Sequence, residues 1–96
     1  MTSIAVIIRF KGDADDLLTR FEEARRNWMA AQGDDYERPT FYAACRADDG
    51  IAVLSGWDSA AGHRAFGQGL HQFIHEAGLP EPDQIERLRI ESFGWE

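Results

Sequence analysis

The sequence predicts one α+β domain in which four strands form an antiparallel sheet and two helices cover one of its faces. Three observations carry that expectation. A chain of 96 residues with 44% hydrophobic side chains holds one core and has no room for a second. Period-2 and period-3.6 stretches succeed one another in the order strand, helix, strand, strand, helix, strand. Between the two middle strands stands Asp48-Asp49-Gly50, an Asp-Gly hairpin signal.

The first strand is read from Ile4 to Phe10, a run rich in β-branched residues that Lys11-Gly12 closes. Asp13 is the predicted N-cap of a helix reaching Gln32, with Asp15 and Asp16 in the first turn, where the macrodipole favours negative charge. Leu17, Phe21, Ala24, Trp28 and Ala31 recur at alternating spacings of four and three, so one face of this helix is apolar. Gly33 stops it, and a polar connection leads to Pro39. The hairpin strands are read as Thr40 to Ala47 and Ile51 to Trp57, with the Asp-Gly pair supplying the positive φ angles of a tight turn. Ser59 caps a second helix starting near Ala60, and Gly67 and Gly69 are expected to break it into a helix and a separate short one. After the proline-stiffened loop Leu79-Pro80-Glu81-Pro82, the last strand is read from Ile85 to Phe93. The order β-α-β-β-α-β is the split βαβ arrangement of ferredoxin-like domains.

Such a sheet has helices on one face only, yet the first strand is apolar on both: Ile4, Val6 and Ile8 on one side, Ala5 and Ile7 on the other. A second copy of the chain packed sheet to sheet would cover the open face, so a homodimer is expected. The closing aromatics Phe93 and Trp95 should pack against that partner or over the sheet rim.

A formal charge of −7, from 17 acidic and 10 basic residues, argues against nucleic acid and anionic membrane surfaces as partners. The sequence contains no apolar run of membrane-spanning length and no signal-peptide pattern at its start, so a cytoplasmic location is expected. The lone Cys45 reads as a small buried hydrophobe and implies no redox chemistry.

Leu54-Ser55-Gly56-Trp57-Asp58-Ser59, leading into Ala60-Ala61-Gly62-His63-Arg64-Ala65-Phe66, resembles the dimeric α+β barrel superfamily, and within it the antibiotic biosynthesis monooxygenase-like proteins. The resemblance spans essentially the whole chain. It implies a pocket between sheet and helices, closed by aromatic side chains, in which relatives oxidise phenolic or anthrone-type polyketides without flavin or metal. The first strand lacks the asparagine of the haem-degrading relatives, so haem oxygenation is not expected. Cofactor-free oxygenation needs an oriented apolar cavity and at most one base, with no cofactor of its own.

His63 shares a helical arc with Phe66, Leu70, Phe73, Ile74 and Ala77, and two readings stand side by side: a base or hydrogen-bond donor in the pocket, or a histidine satisfied within the core. Trp57 and Tyr42 fall opposite or nearly opposite each other across the hairpin, either as pocket walls with Phe66 and Leu70 or as plain cross-strand packing. His71 and His75 have a metal-compatible spacing, but a third ligand is not evident, and no metal is expected. Arg9, Arg46, Arg87 and Arg89 could bind a carboxylate or form ion pairs with Glu91; ion pairing is the favoured reading. Ser55 and Ser59 lack a nucleophile-elbow setting, and Gly67-Gln68-Gly69 is no phosphate loop. Two functions follow: a cofactor-independent monooxygenase acting on a small aromatic or polyketide-type substrate, or a non-catalytic dimeric module that binds a small aromatic ligand or serves as a scaffold.

Overall fold

The computed structural model describes residues 3–34 and 36–94, with only the backbone of Ala65. The β-branched opening forms β1 (Ile4–Lys11), followed by α1 (Ala14–Gln32), the hairpin strands β2 (Phe41–Ala47) and β3 (Gly50–Trp57), α2 (Ala60–Glu76) and β4 (Gln84–Arg89). All strand pairs are antiparallel, in the order β2-β3-β1-β4. This is the expected ferredoxin-like α+β arrangement, β-α-β-β-α-β.

Both helices start where side chains can satisfy their free N–H groups. Asp13 accepts from the Asp16 backbone at 2.9 Å, and Ser59 accepts from Gly62 at 3.0 Å while donating to the Glu37 carboxylate at 3.2 Å. Leu17, Phe21, Ala24 and Trp28 from α1, with Phe66, Leu70 and Ile74 from α2, close over Val6, Phe10, Ile51, Val53 and Trp57 of the sheet. The register places the other side chains, Ala5 and Ile7 of β1, Leu54 of β3, Phe41 and Ala43 of β2 and Leu88 of β4, on the opposite, helix-free face. Arg9, Gln84 and Glu86 share that face beside this apolar group, and Leu88 is half exposed on it.

Four local expectations are corrected. First, α2 runs unbroken through Gly67 and Gly69, because its buried stripe of His63, Phe66, Leu70 and Ile74 outweighs two glycine propensity penalties. Second, β4 ends at Arg89 rather than Phe93: its partner strand among the described residues begins at Ile4, and one further bond, from the Ile90 N–H to the Ser3 carbonyl, continues the pairing. Third, the hairpin loop is Asp48-Asp49, with neither residue at positive φ, and Gly50 is already paired with Ala47. Glycine is required there because a Cβ would fall on the Phe10 carbonyl oxygen of the neighbouring strand. Fourth, Cys45 is exposed, since its register puts it on the helix-free face. Phe93 stacks on Phe41 with ring centroids 6.1 Å apart and remains 58% exposed, while Trp95 lies outside the described residues.

Candidate functional site

An aromatic chain runs through the layer between sheet and helices. Trp28 meets Tyr36 edge-on at 5.0 Å and Phe66 at 4.8 Å; Phe66 meets Trp57 at 4.9 Å; Trp57 meets His63 at 5.9 Å. Helical spacing on α2 sets His63 and Phe66 one turn apart, both pointing inward. Trp57 is fully buried, and its indole N–H donates to the buried Ser55 hydroxyl at 2.9 Å.

Two cavities flank Phe66. The larger, about 550 Å³, lies between α2 and the β1–β4 edge, with an apolar floor of Ile8, Phe66, Leu70, Ile74 and Ile85 and with His63, Arg64, His71 and Arg87 around it. No carboxylate lines it. A smaller recess of about 200 Å³, formed by Ile4, Ala60, His63, Arg64 and Arg87, shares both arginines and extends toward the start of α2. The other cavity, about 220 Å³, lies between α1 and the β2–β3 hairpin.

His63 is buried, with no side-chain hydrogen-bond partner among the described residues. Burial foremost, and the Arg87 cation second, hold its pKa below the ordinary 6.5, so at neutral pH the imidazole is uncharged and able to accept a proton. The larger cavity therefore combines an apolar floor, a neutral base and two guanidinium groups, a set that can bind a flat substrate, remove a proton and stabilise the anion formed.

Of the residues singled out from sequence, His63, Phe66 and Leu70 meet in this cavity. Tyr42 lies in the smaller one, and Trp57 lines neither, standing behind His63 and Phe66. Tyr42 pairs in register with Ser55, two residues from Trp57 on the same face. Its hydroxyl donates to Glu22 at 2.6 Å beneath the Arg25 guanidinium, and burial and Glu22 push its pKa well above the ordinary 10. His71 approaches Glu81 at 3.4 Å on the surface, His75 is exposed, and no three potential metal ligands cluster among the described residues.

The arginines divide. Arg46 pairs with Asp15 at 2.6 Å and Arg89 lies 3.7 Å from Glu91, both exposed, whereas neither Arg64 nor Arg87 has an ion-pair partner among the described residues. The sequence alone gives Arg64 no role and favours ion pairing for Arg87. The signals available were the position of Arg64 beside His63 and the parity of Arg87, which pairs with the inward-facing Val6.

The same fold occurs in three crystal structures. One, of a protein of unknown function from Nitrosomonas europaea, superposes with a TM-score of 0.68 at 18% identity, covering 100% of this chain and 96% of that one. A second, of a candidate antibiotic biosynthesis monooxygenase from Chloroflexus aurantiacus, gives 0.64 at 15% identity, covering 97% and 98%. The third, a dimeric ferredoxin-like protein from an uncultured marine organism, gives 0.55 at 11% identity over 100% and 95%. No protein-family model and no curated protein matches the chain. These likenesses show the ferredoxin-like fold of the chain. No helix among the described residues is long and apolar enough to cross a membrane.

Proposed function

We propose that the chain is a homodimeric, cofactor-independent monooxygenase-like protein that acts on a small aromatic substrate of phenol or anthrone type in the cavity beside His63. The carrying observation is a buried imidazole, held neutral, at the wall of an apolar cavity of about 550 Å³ that also presents two guanidinium groups without an ion-pair partner among the described residues. The monooxygenase candidate from Chloroflexus aurantiacus, alike over nearly its whole length, supports the reading.

In the proposed reaction, neutral His63 takes a proton from an activated CH₂ of the substrate, and Arg87 and Arg64 stabilise the resulting enolate. The enolate carbon passes its electrons to O₂ and forms a C–O bond, giving a peroxide anion that recovers the proton from imidazolium. Loss of water then leaves a carbonyl, so one CH₂ and one O₂ become one C=O and one H₂O. Phe66 and Leu70 hold the rings, and Trp57 fixes His63 and Phe66 from behind. Dimerisation is proposed through the apolar group on the helix-free face and is supported by the dimeric marine protein of the same fold.

Oxygen uptake with a panel of anthrones and quinols tests the activity. His63→Gln keeps size and hydrogen bonding while removing basicity, and should lower turnover at least about tenfold with ligand affinity nearly unchanged. Full turnover in that variant would reduce His63 to a structural role. Substrates that bind without consuming oxygen would instead identify a binding module.

A further inference from the structure

The second cavity, on the α1 side of Phe66, has a chemistry of its own. Its walls are Trp28, Tyr36, Tyr42 and Phe66, with Met29 and Val53 between them. About 220 Å³ is more than the roughly 150 Å³ apolar cavity that is known to take benzene, so one ring with a short substituent fits.

The polar groups around it are nearly all engaged. Arg25 pairs with Glu22 at 2.7 Å and lies over the Tyr42 ring at 4.7 Å; Arg38 lies over Tyr36 at 4.5 Å and donates to its hydroxyl at 3.0 Å. The Tyr42 hydroxyl donates to Glu22. Two donors are exceptions among the described residues: the Trp28 indole N–H, buried without a partner close against Gly69 of α2, and Ser55. Ser55 is the one considered for the ligand. It is 6% exposed and accepts the Trp57 indole N–H, and among the described residues its own O–H has no acceptor. Buried hydroxyl donors are rarely left unspent, and this one belongs to the cavity lining.

We propose that this cavity is a second ligand site, which takes a neutral single-ring aromatic bearing one hydrogen-bond acceptor, with the ring among Trp28, Tyr36 and Tyr42 and the acceptor on the Ser55 hydroxyl. The site is separate from the one beside His63, and the two share the Phe66 ring and Ile8 as a common wall. An anionic ligand is not favoured, because Glu22 already neutralises Arg25 and Arg38 is exposed at the rim.

The test uses the intact chain with a ¹³C-labelled methionine methyl group. Met29 lines the second cavity and not the first, whereas His63 lines the first and its adjoining recess and not the second, so their resonances report the two sites separately. Acetophenone, a ring with a carbonyl, is compared with ethylbenzene, which lacks the acceptor. Acetophenone should give a saturable shift at Met29 with His63 little moved, and should bind about fivefold tighter than ethylbenzene. Ser55→Ala should remove that preference while ethylbenzene still binds. If Ser55→Ala fails to fold, Met29→Trp, which fills the cavity from a half-buried position, should abolish the shift of the Val53 methyls. Shifts centred on His63, no saturable shift at Met29, or equal affinity for the two probes would each overturn the proposal.

Discussion

Replacing the two glycines of α2 one at a time separates helix propensity from packing. In a helix interior, Gly→Ala is worth about 0.5–1 kcal/mol in favour of alanine. At Gly67, a Cβ meets nothing within 4 Å, so Gly67→Ala should deliver that gain, about 2–8 °C in Tm for a domain of this size. At Gly69, a Cβ would stand 2.6 Å from the Trp28 indole nitrogen and 3.2 Å from its Cδ1. Trp28 is 4% exposed and clamped between Tyr36 and Phe66, so its ring cannot swing aside without disturbing both. Overpacking of this kind costs about 1–3 kcal/mol, which cancels or exceeds the propensity gain and leaves Gly69→Ala about 0–2.5 kcal/mol below the parent. The difference between the two variants, about 1–3 kcal/mol, measures the clash alone because the propensity contribution is common to both. Thermal and urea unfolding at one fixed protein concentration should be used, since dimerisation makes Tm concentration-dependent. Equal stabilisation by both substitutions would refute the packing of Trp28 against Gly69.

Three further outcomes are expected. Because the pKa of His63 is depressed on folding, its contribution to stability is present above 6.5 and is lost as pH falls through the folded value; His63→Gln should flatten the acid side of the stability profile, as read by urea unfolding from pH 7 to pH 5. Arg87→Gln removes a cation that disfavours imidazolium, so the His63 titration followed by NMR should move up toward 6.5, and an unmoved titration would show that burial acts alone. Sedimentation should give twice the 10.8 kDa chain mass, and Ile7→Glu, in the middle of the helix-free face, should give a monomer; a parent chain that sediments as a folded monomer would remove the dimer proposal.

Element order was legible because each signal was local. Asp13 and Ser59 cap helices by reaching three residues along the chain, and the stripe Leu17, Phe21, Ala24, Trp28 is buried as its spacing requires. The errors arose where a distant partner decides. Gly50 is needed for the approach of Phe10 from another strand, and the end of β4 depends on where β1 begins. The site was legible to the same degree. The arc of His63, Phe66 and Leu70 lies on one helix and could be projected from sequence, whereas Arg87 reaches the cavity only through the β1–β4 register, and Ser55 matters only because Trp57 uses its oxygen.

Gly69, which looks like a helix breaker in sequence, serves the cavities instead. With no side chain at position 69, the Trp28 ring lies against α2, from where it meets Phe66 edge-on at 4.8 Å. Phe66, held between Trp28 and Trp57, is the wall that divides the space under the helices into two parts. A side chain at 69 would push Trp28 toward the second cavity, and the displacement would reach Phe66 before it reached His63. Gly69→Ala should therefore weaken acetophenone binding at the Met29 site more than it alters the His63 titration. Equal disturbance of both would mean that Phe66 does not separate the two spaces.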